Sequence, residues 1–356
     1  MHNSVALELV APMLGRAGSS AATVALRRPH CEKGDLSLQL SPALAGGGIG
    51  IRCDCSPRLT HCIFIGNSAG QGGGMSNSYN CNSTLINCIF IGNSATNDGS
   101  FGGGGMFVYD SGQTLINCLF FDNSAVNGGG MDYSDTHEMN LINCVFSGNS
   151  ANYGGAMHSH NHATTVNLYN CSFSKNSANY FGGAIYNGDY GTTRKMELIN
   201  CILWGNNDSS SLGEFSQIRP SDYELSVSYC DIQGGWEGTA NINADPCFAD
   251  ANNGDHHLKS QAGRWDPNTE TWVQDDDETS PCIDAGNPMS PIMYEPFPNG
   301  GIINMGAYGG TSEASKSYFG KPPCEIIVAG DMNGDCLVNF LDFRLMALHW
   351  CEDNNP

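Results

Sequence analysis

A carboxylate, an imidazole and a phenol each stand one residue after the apolar residue that closes a glycine cluster: Asp132, His158 and Tyr186. The same offset in two earlier clusters gives Ser76 and Phe107, and two residues farther along come Ser78, Tyr109, Ser134, His160 and Gly188. If these stretches stack in register, Asp132, His158 and Tyr186 make a vertical row facing solvent, with Tyr109, Asp135 and His160 as neighbouring ligand-binding groups. Such a row carries the proton donors and acceptors that general acid-base chemistry requires. It is equally equipped to stack on and hydrogen-bond a sugar. Exposed strands of a chain rich in glycine and asparagine carry His, Tyr and Asp as a matter of course, so residue type alone does not make the row catalytic. Within MHSHNH, His158, His160 and His162 alternate along one strand, and their span suits only two of them on a single ion.

A second chemistry lies near the end of the chain. In DMNGDCLVNFLD, the residues Asp331, Asn333, Asp335, Asn339 and Asp342 fall at positions 1, 3, 5, 9 and 12, with the Leu337 carbonyl at position 7. Oxygen donors at that spacing are what a Ca²⁺ loop uses. Cys336 stands where such loops commonly have glycine, and Phe340 to Trp350 reads as an amphipathic helix after the loop.

What must position the row is a repeat. Six phrases, LTHCIFIGN, LINCIFIGN, LINCLFFDN, LINCVFSGN, LYNCSFSKN and LINCILWGN, place Cys62, Cys88, Cys118, Cys144, Cys171 and Cys201 at steps of 26, 30, 26, 27 and 30 residues. A period of this size indicates a solenoid. Glycine clusters between the phrases supply a second marker in each period. Leu85, Cys88 and Phe90 cannot all face inward on one regular strand, so the chain bends at Asn87, where Asn tolerates a left-handed backbone. Asn117, Asn143, Asn170 and Asn200 then stack on Asn87 as an amide ladder, and Asn67, Asn93, Asn123, Asn149 and Asn176 mark the next corner. Helical periodicity is missing between the phrases, which excludes a leucine-rich repeat. The expected fold is all-β, a right-handed parallel β-helix with three short strands per coil and a small C-terminal helix with its EF-type loop.

In-register cysteines of stacked strands lie ~4.8 Å apart, beyond the ~3.8 Å between Cβ atoms of a disulfide, so the six are expected as buried thiols. Cys247, Cys282, Cys324 and Cys336 are the better candidates for pairing in an oxidising compartment. The expected organisation is an unassigned segment 1–45, repeats over 46–248, an irregular cap over 249–318 and the calcium segment 319–356. VSYCDIQGG and DPCFAD read as one or two degenerate coils, and RWDPNTETWV as a hairpin.

The NCxFxxN and GGAI-type pair of motifs resembles the repeats of polymorphic outer-membrane proteins and of bacterial parallel β-helix surface proteins, over residues 46 to 235. The calcium segment resembles one half of a type I dockerin, which implies a cohesin-like receptor as partner. Both resemblances imply a bacterial protein at the cell surface or outside the cell. No signal peptide is evident, because SVALELVAPML is interrupted by Glu8 and lacks a preceding basic residue.

Acids outnumber Lys plus Arg by 36 to 15, a formal charge of -21, which excludes nucleic acid and anionic membrane as partners. No apolar run is long enough for membrane insertion. The expectation is a monomeric scaffold that binds polysaccharide or cell-surface glycan on its strand face and docks through its calcium tail. The alternative is a polysaccharide lyase or glycoside hydrolase of β-helix architecture. Paired acids of a hydrolase are not recognisable, and Lys175, Arg194 and Lys195 are the only basic residues between Cys62 and Cys201. Product release against glycan binding separates the two.

Overall fold

The computed structural model describes residues 36–37, 47–52, 54, 56–97, 101–160, 165–188, 195–209, 214–219, 224–319, 330 and 338–349. The chain divides into two compact units, Met1–Ala244 and Asp245–Pro356.

The first unit is a parallel β-helix. Each coil adds one strand to each of three sheets, and the strands stack in sequence order. The first sheet runs from Ile49–Arg52 through Met75–Ser78, Met106–Tyr109, Met131–Ser134, Met157–Ser159 and Ile185–Asn187 to Ile218–Arg219. The short strand Leu36–Ser37 pairs antiparallel with its first member. The second sheet runs from Arg58–Thr60 to Glu224–Ser228, and the third from Ile63–Ile65 to Asp231–Ile232. Registers follow the repeat: Met75, Met106, Met131, Met157 and Ile185 are successive partners.

The bend between the second and third sheets is where the phrase requires it. Asn87, Asn117, Asn143, Asn170 and Asn200 all have φ between 49° and 57°. Leu85, Cys88 and Phe90 are consequently all fully buried. Cys62, Cys88, Cys118, Cys144, Cys171 and Cys201 form the expected buried thiol ladder, which Cys230 extends, and no disulfide links them. Each thiol donates to the carbonyl two residues earlier, as Cys88 does to Ile86 at 3.5 Å.

The other asparagine set forms a continuous amide ladder. Asn93 Nδ2 donates to Asn123 Oδ1, and Asn123 Nδ2 to Asn149 Oδ1, each at 2.9 Å. The same Nδ2 atoms also donate across to the preceding coil's phenylalanine carbonyl, as Asn123 does to Phe90 at 3.0 Å. These asparagines are buried, so every amide they leave unpaired would carry a desolvation cost. In the bend set, Asn200 Nδ2 donates to Asn170 Oδ1 at 3.1 Å, and Asn87 Nδ2 to the imidazole of His61 at 3.0 Å.

Beside the amide ladder runs a stack of rings, Phe64, Phe90, Phe120, Phe146 and Phe173, with centroid separations of 4.5 to 5.0 Å and nearly parallel planes. This stack explains the glycine clusters. Gly128 has φ +59° and makes the turn, whereas a Cβ on Gly130 would sit 2.8 Å from the ring of Phe146. The first glycine is therefore conformational and the last one steric.

The second unit corrects two expectations. DPCFAD is not a coil: Phe248–Asp250 pairs antiparallel with Asp255–Leu258. The hairpin Arg264–Asp266 with Thr271–Val273 is as expected. Cys247 is a half-buried thiol whose pKa burial pushes up to about 11, Cys282 is buried, and Cys324 and Cys336 lie outside the described residues. A helix spans Phe340–His349, but its described residues do not show an amphipathic pattern: Phe340, Leu341 and Phe343 are exposed and Asp342 is buried. No helix among the described residues is long and apolar enough to cross a membrane.

Candidate functional site

The outward face of the first sheet brings the expected row together. Asp132 pairs in register with His158, and His158 with Tyr186. Phe107 precedes Asp132 in the row, and Arg219 follows Tyr186. Alternation along each strand accounts for this, since Met131 and Tyr133 point into the core and Asp132 and Ser134 the other way.

The row does not face solvent as the strand pattern suggested. Asp132 is 0 % exposed, His158 5 % and Tyr186 9 %. The cover comes from the segments entering the glycine clusters. The Phe101 ring packs edge-on to His160 at 4.9 Å, and Tyr153 lies 5.4 Å from Tyr186 and 6.4 Å from His158. Phe181 lies 6.2 Å from Tyr186, with the guanidinium of Arg219 5.0 Å over its ring. These three aromatics carry a sequence signal of their own. Each stands immediately before a glycine cluster, in Phe101-Gly102, Tyr153-Gly154 and Phe181-Gly182, where other coils have Gln71 or Asn127.

Under this cover Asp132 sits between two imidazoles. Its Oδ1 lies 2.9 Å from His158 Nδ1, and its Oδ2 lies 3.1 Å from His160 Nε2. The Gly102 backbone N–H also donates to Oδ2, at 2.6 Å. Burial would push this carboxyl upward, but His160 and His158 together hold it below the usual carboxylate range. His158 stacks on Tyr186 at 5.3 Å and meets His160 edge-to-face at 4.2 Å. The backbone of His160 is fixed by its N–H donating to the Tyr133 carbonyl at 2.8 Å. His162 lies outside the described residues.

Tyr109 and Asp135 flank the row rather than join it. Tyr109 is half-buried, 5.5 Å from the ring of Tyr79 and 6.2 Å from that of Phe101. Partial burial, then the Asp135 carboxylate, push its phenol above the usual value. Asp135 has φ 49° and accepts from the Ser134 hydroxyl at 3.0 Å, turning the chain out of its strand. Aromatic rings continue along the same side of the solenoid, where Tyr153 packs 5.0 Å from Tyr180, and Tyr79 and Tyr180 are about half exposed.

Of the calcium-loop residues, Asp331, Asn333, Asp335 and Leu337 lie outside the described residues. Asn339 and Asp342 converge at the start of the Phe340–His349 helix. The Asn339 N–H donates to Asp342 Oδ2 at 2.7 Å, and Asn339 Oδ1 accepts from the Leu341 N–H at 2.8 Å. This is a reciprocal cap on the first turn of the helix.

The second unit holds an arrangement that sequence gave no reason to expect. Glu295 is buried, its Oε1 accepting from the N–H groups of Asn304 and Gly310 at 2.8 Å each, while Oε2 has no hydrogen-bond partner among the described residues. His257 is held between Asp255 at 2.6 Å and Glu313 at 3.4 Å and lies against the ring of Tyr308 at 3.6 Å. Burial lowers the His257 imidazole, but the two carboxylates outweigh it and raise it above its usual value.

Among known proteins, the family described as Disaggregatase related matches residues 227–286. That stretch covers the end of the last coil, with the strand Asp231–Ile232, and the two hairpins that follow, and in sequence it lies beyond the row on the first sheet. No curated protein and no solved structure matches the chain.

Proposed function

We propose that the β-helix is an extracellular or cell-surface scaffold that binds polysaccharide on the outward side of its first sheet. The observation that carries this reading is the run of partly exposed rings, Tyr79, Tyr109, Phe101, Tyr153 and Tyr180, beside a polar centre. Aromatic faces stack on the apolar faces of sugar rings, and the acidic balance of the chain favours neutral or weakly charged glycans.

In a binding assay against immobilised polysaccharides, Tyr79→Ala and Tyr109→Ala are each expected to weaken retention about fivefold. That corresponds to about 1 kcal/mol for one lost ring contact. Retention unchanged in the double variant would refute this face as the binding surface. The enzyme reading rests on Asp132, His158 and Tyr186 as acid-base groups. It is the weaker of the two because both Asp132 oxygens are already engaged and the group is fully buried. New reducing ends or unsaturated sugars released by the parent, and lost in His158→Ala, would reverse that order.

The tail is proposed to bind Ca²⁺ through Asp331, Asn333, Asp335, the Leu337 carbonyl, Asn339 and Asp342, and so to dock on a cohesin-like receptor. A hard cation with oxygen donors at these intervals supports this part of the reading. Asp331→Ala is expected to lower calcium affinity at least tenfold in a calorimetric titration. Equal affinity in the variant would remove the loop from consideration.

A further inference from the structure

We propose that Asp132, His158 and His160 form a binding site for a divalent transition metal of the zinc class, buried beneath Phe101 on the outward face of the first sheet. The inference is independent of glycan binding. One carboxylate oxygen and one nitrogen from each imidazole lie within 4.8 Å of one another. The carboxylate-to-imidazole separations are 2.9 Å from Oδ1 to His158 and 3.1 Å from Oδ2 to His160. A tetrahedral ion with metal-ligand bonds of about 2.0–2.1 Å places its ligands roughly 3.3 Å apart. One carboxylate oxygen and the two imidazole nitrogens, spread over no more than 4.8 Å, would therefore have to draw together by at most about 1.5 Å, which small rotations of the carboxylate and the rings supply.

The donor set decides the class of metal. Two imidazoles with one carboxylate suit zinc and its neighbours, whereas calcium and magnesium take oxygen ligands throughout. Charge argues the same way. Asp132 is a fully buried acid, and among the described residues its ion-pair partners are these two imidazoles. A buried carboxylate needs compensating positive charge close by, and a dication held by neutral imidazoles provides it.

The surroundings hold the ligands in place, as the supporting shell of a metal site does. The Gly102 N–H fixes one carboxylate oxygen at 2.6 Å, Tyr186 stacks on His158, and Phe101 packs on His160. The side chain of His160 is 14 % exposed, against 6 % for His158 and 0 % for Asp132, so the ion enters from its side. Three protein ligands leave a fourth position for water or an exchangeable group. Strand alternation puts His158 and His160 on the same side of one chain segment, and the coil below supplies Asp132 in register.

The test uses the full chain, stripped with chelator and kept in excess calcium so that the tail loop is saturated. Co²⁺ serves as the spectroscopic probe and Zn²⁺ as the calorimetric one. The parent is expected to bind one equivalent with the visible d–d bands of a low-coordinate nitrogen-oxygen site and without thiolate charge-transfer bands. His160→Ala should weaken that binding at least tenfold, and Asp331→Ala should leave it unchanged. His160→Gln, with its fold checked by circular dichroism, serves if the alanine variant fails to fold. Absence of binding to the parent, thiolate bands in its cobalt spectrum, or equal affinity in a folded His160 variant would each overturn the proposal.

Discussion

Replacing Phe146 by alanine is expected to lower the unfolding free energy of the solenoid by about 3–5 kcal/mol. Phe146 is fully buried between Phe120 at 4.5 Å and Phe173 at 5.0 Å, with both neighbouring rings within 4° of parallel to its own. Its removal leaves a void that the surroundings cannot close. The facing wall is Gly130, which has no side chain to move in, and Phe120 and Phe173 are held in place by their own coils. The stack also lies beside the amide ladder, since Asn176 Nδ2 donates to the Phe146 carbonyl at 2.9 Å. In a solenoid each coil contacts only its neighbours, so the loss acts on the coupling between adjacent coils. Urea unfolding should show a lower midpoint, and hydrogen exchange should rise first in the strands Leu119–Phe121, Val145–Ser147 and Ser172–Ser174. Phe146→Leu should cost distinctly less, because it fills most of the void. A loss under 1 kcal/mol for the alanine variant would mean that the coils collapse onto the gap and that the ring stack contributes little.

Replacing Glu295 by glutamine is expected to abolish a pH dependence in the second unit worth about 3 kcal/mol. Burial, reinforced by the Asp284 carboxylate, raises the Glu295 carboxyl to about 7 from its ordinary 4.5. A raised carboxyl favours folding while it is protonated in the folded state. Its contribution is complete below about pH 4.5 and is lost as pH rises through about 7. Glutamine keeps a carbonyl oxygen for the Asn304 and Gly310 N–H groups and cannot ionise. Between pH 5 and pH 8, protection of the Asn304 and Gly310 amides should fall in the parent by far more than in the variant, after correction for intrinsic exchange. Parallel curves for the two proteins would show that Glu295 titrates as an ordinary carboxyl.

Much of the fold was legible because the repeat has two markers. The phrase and the glycine cluster together set the register, and the parity conflict between Leu85, Cys88 and Phe90 required a bend at Asn87, found at φ 54°. The cysteine ladder followed from strand spacing alone. The amide ladder was harder to assign. Both asparagine sets repeat equally well in sequence, and what the pattern did not give is that Asn123 and Asn149 also bond the phenylalanine carbonyls of the preceding coil.

Membership of the candidate row was also legible, since strand alternation determines which side chains share a face. Its depth was not. Asp132 was expected in solvent and is fully buried, because Phe101, Tyr153 and Phe181 arrive from segments of unequal length that no strand pattern orders. In the second unit nothing repeats, and the raised carboxyl of Glu295 depends on neighbours such as Asn304 and Gly310, which periodicity cannot pair with it.

By itself, then, the sequence determined the parallel β-helix, its coil boundaries, its inward ladders and the identity of the residues in the outward row. All of these follow from a period that each coil must satisfy against the next. The tertiary structure alone decided that the row is covered, that Asp132 lies between His158 and His160, and that Glu295 is a buried acid. Those outcomes depend on which irregular segments fold over which face, and burial by a neighbour from another coil leaves no period in the chain.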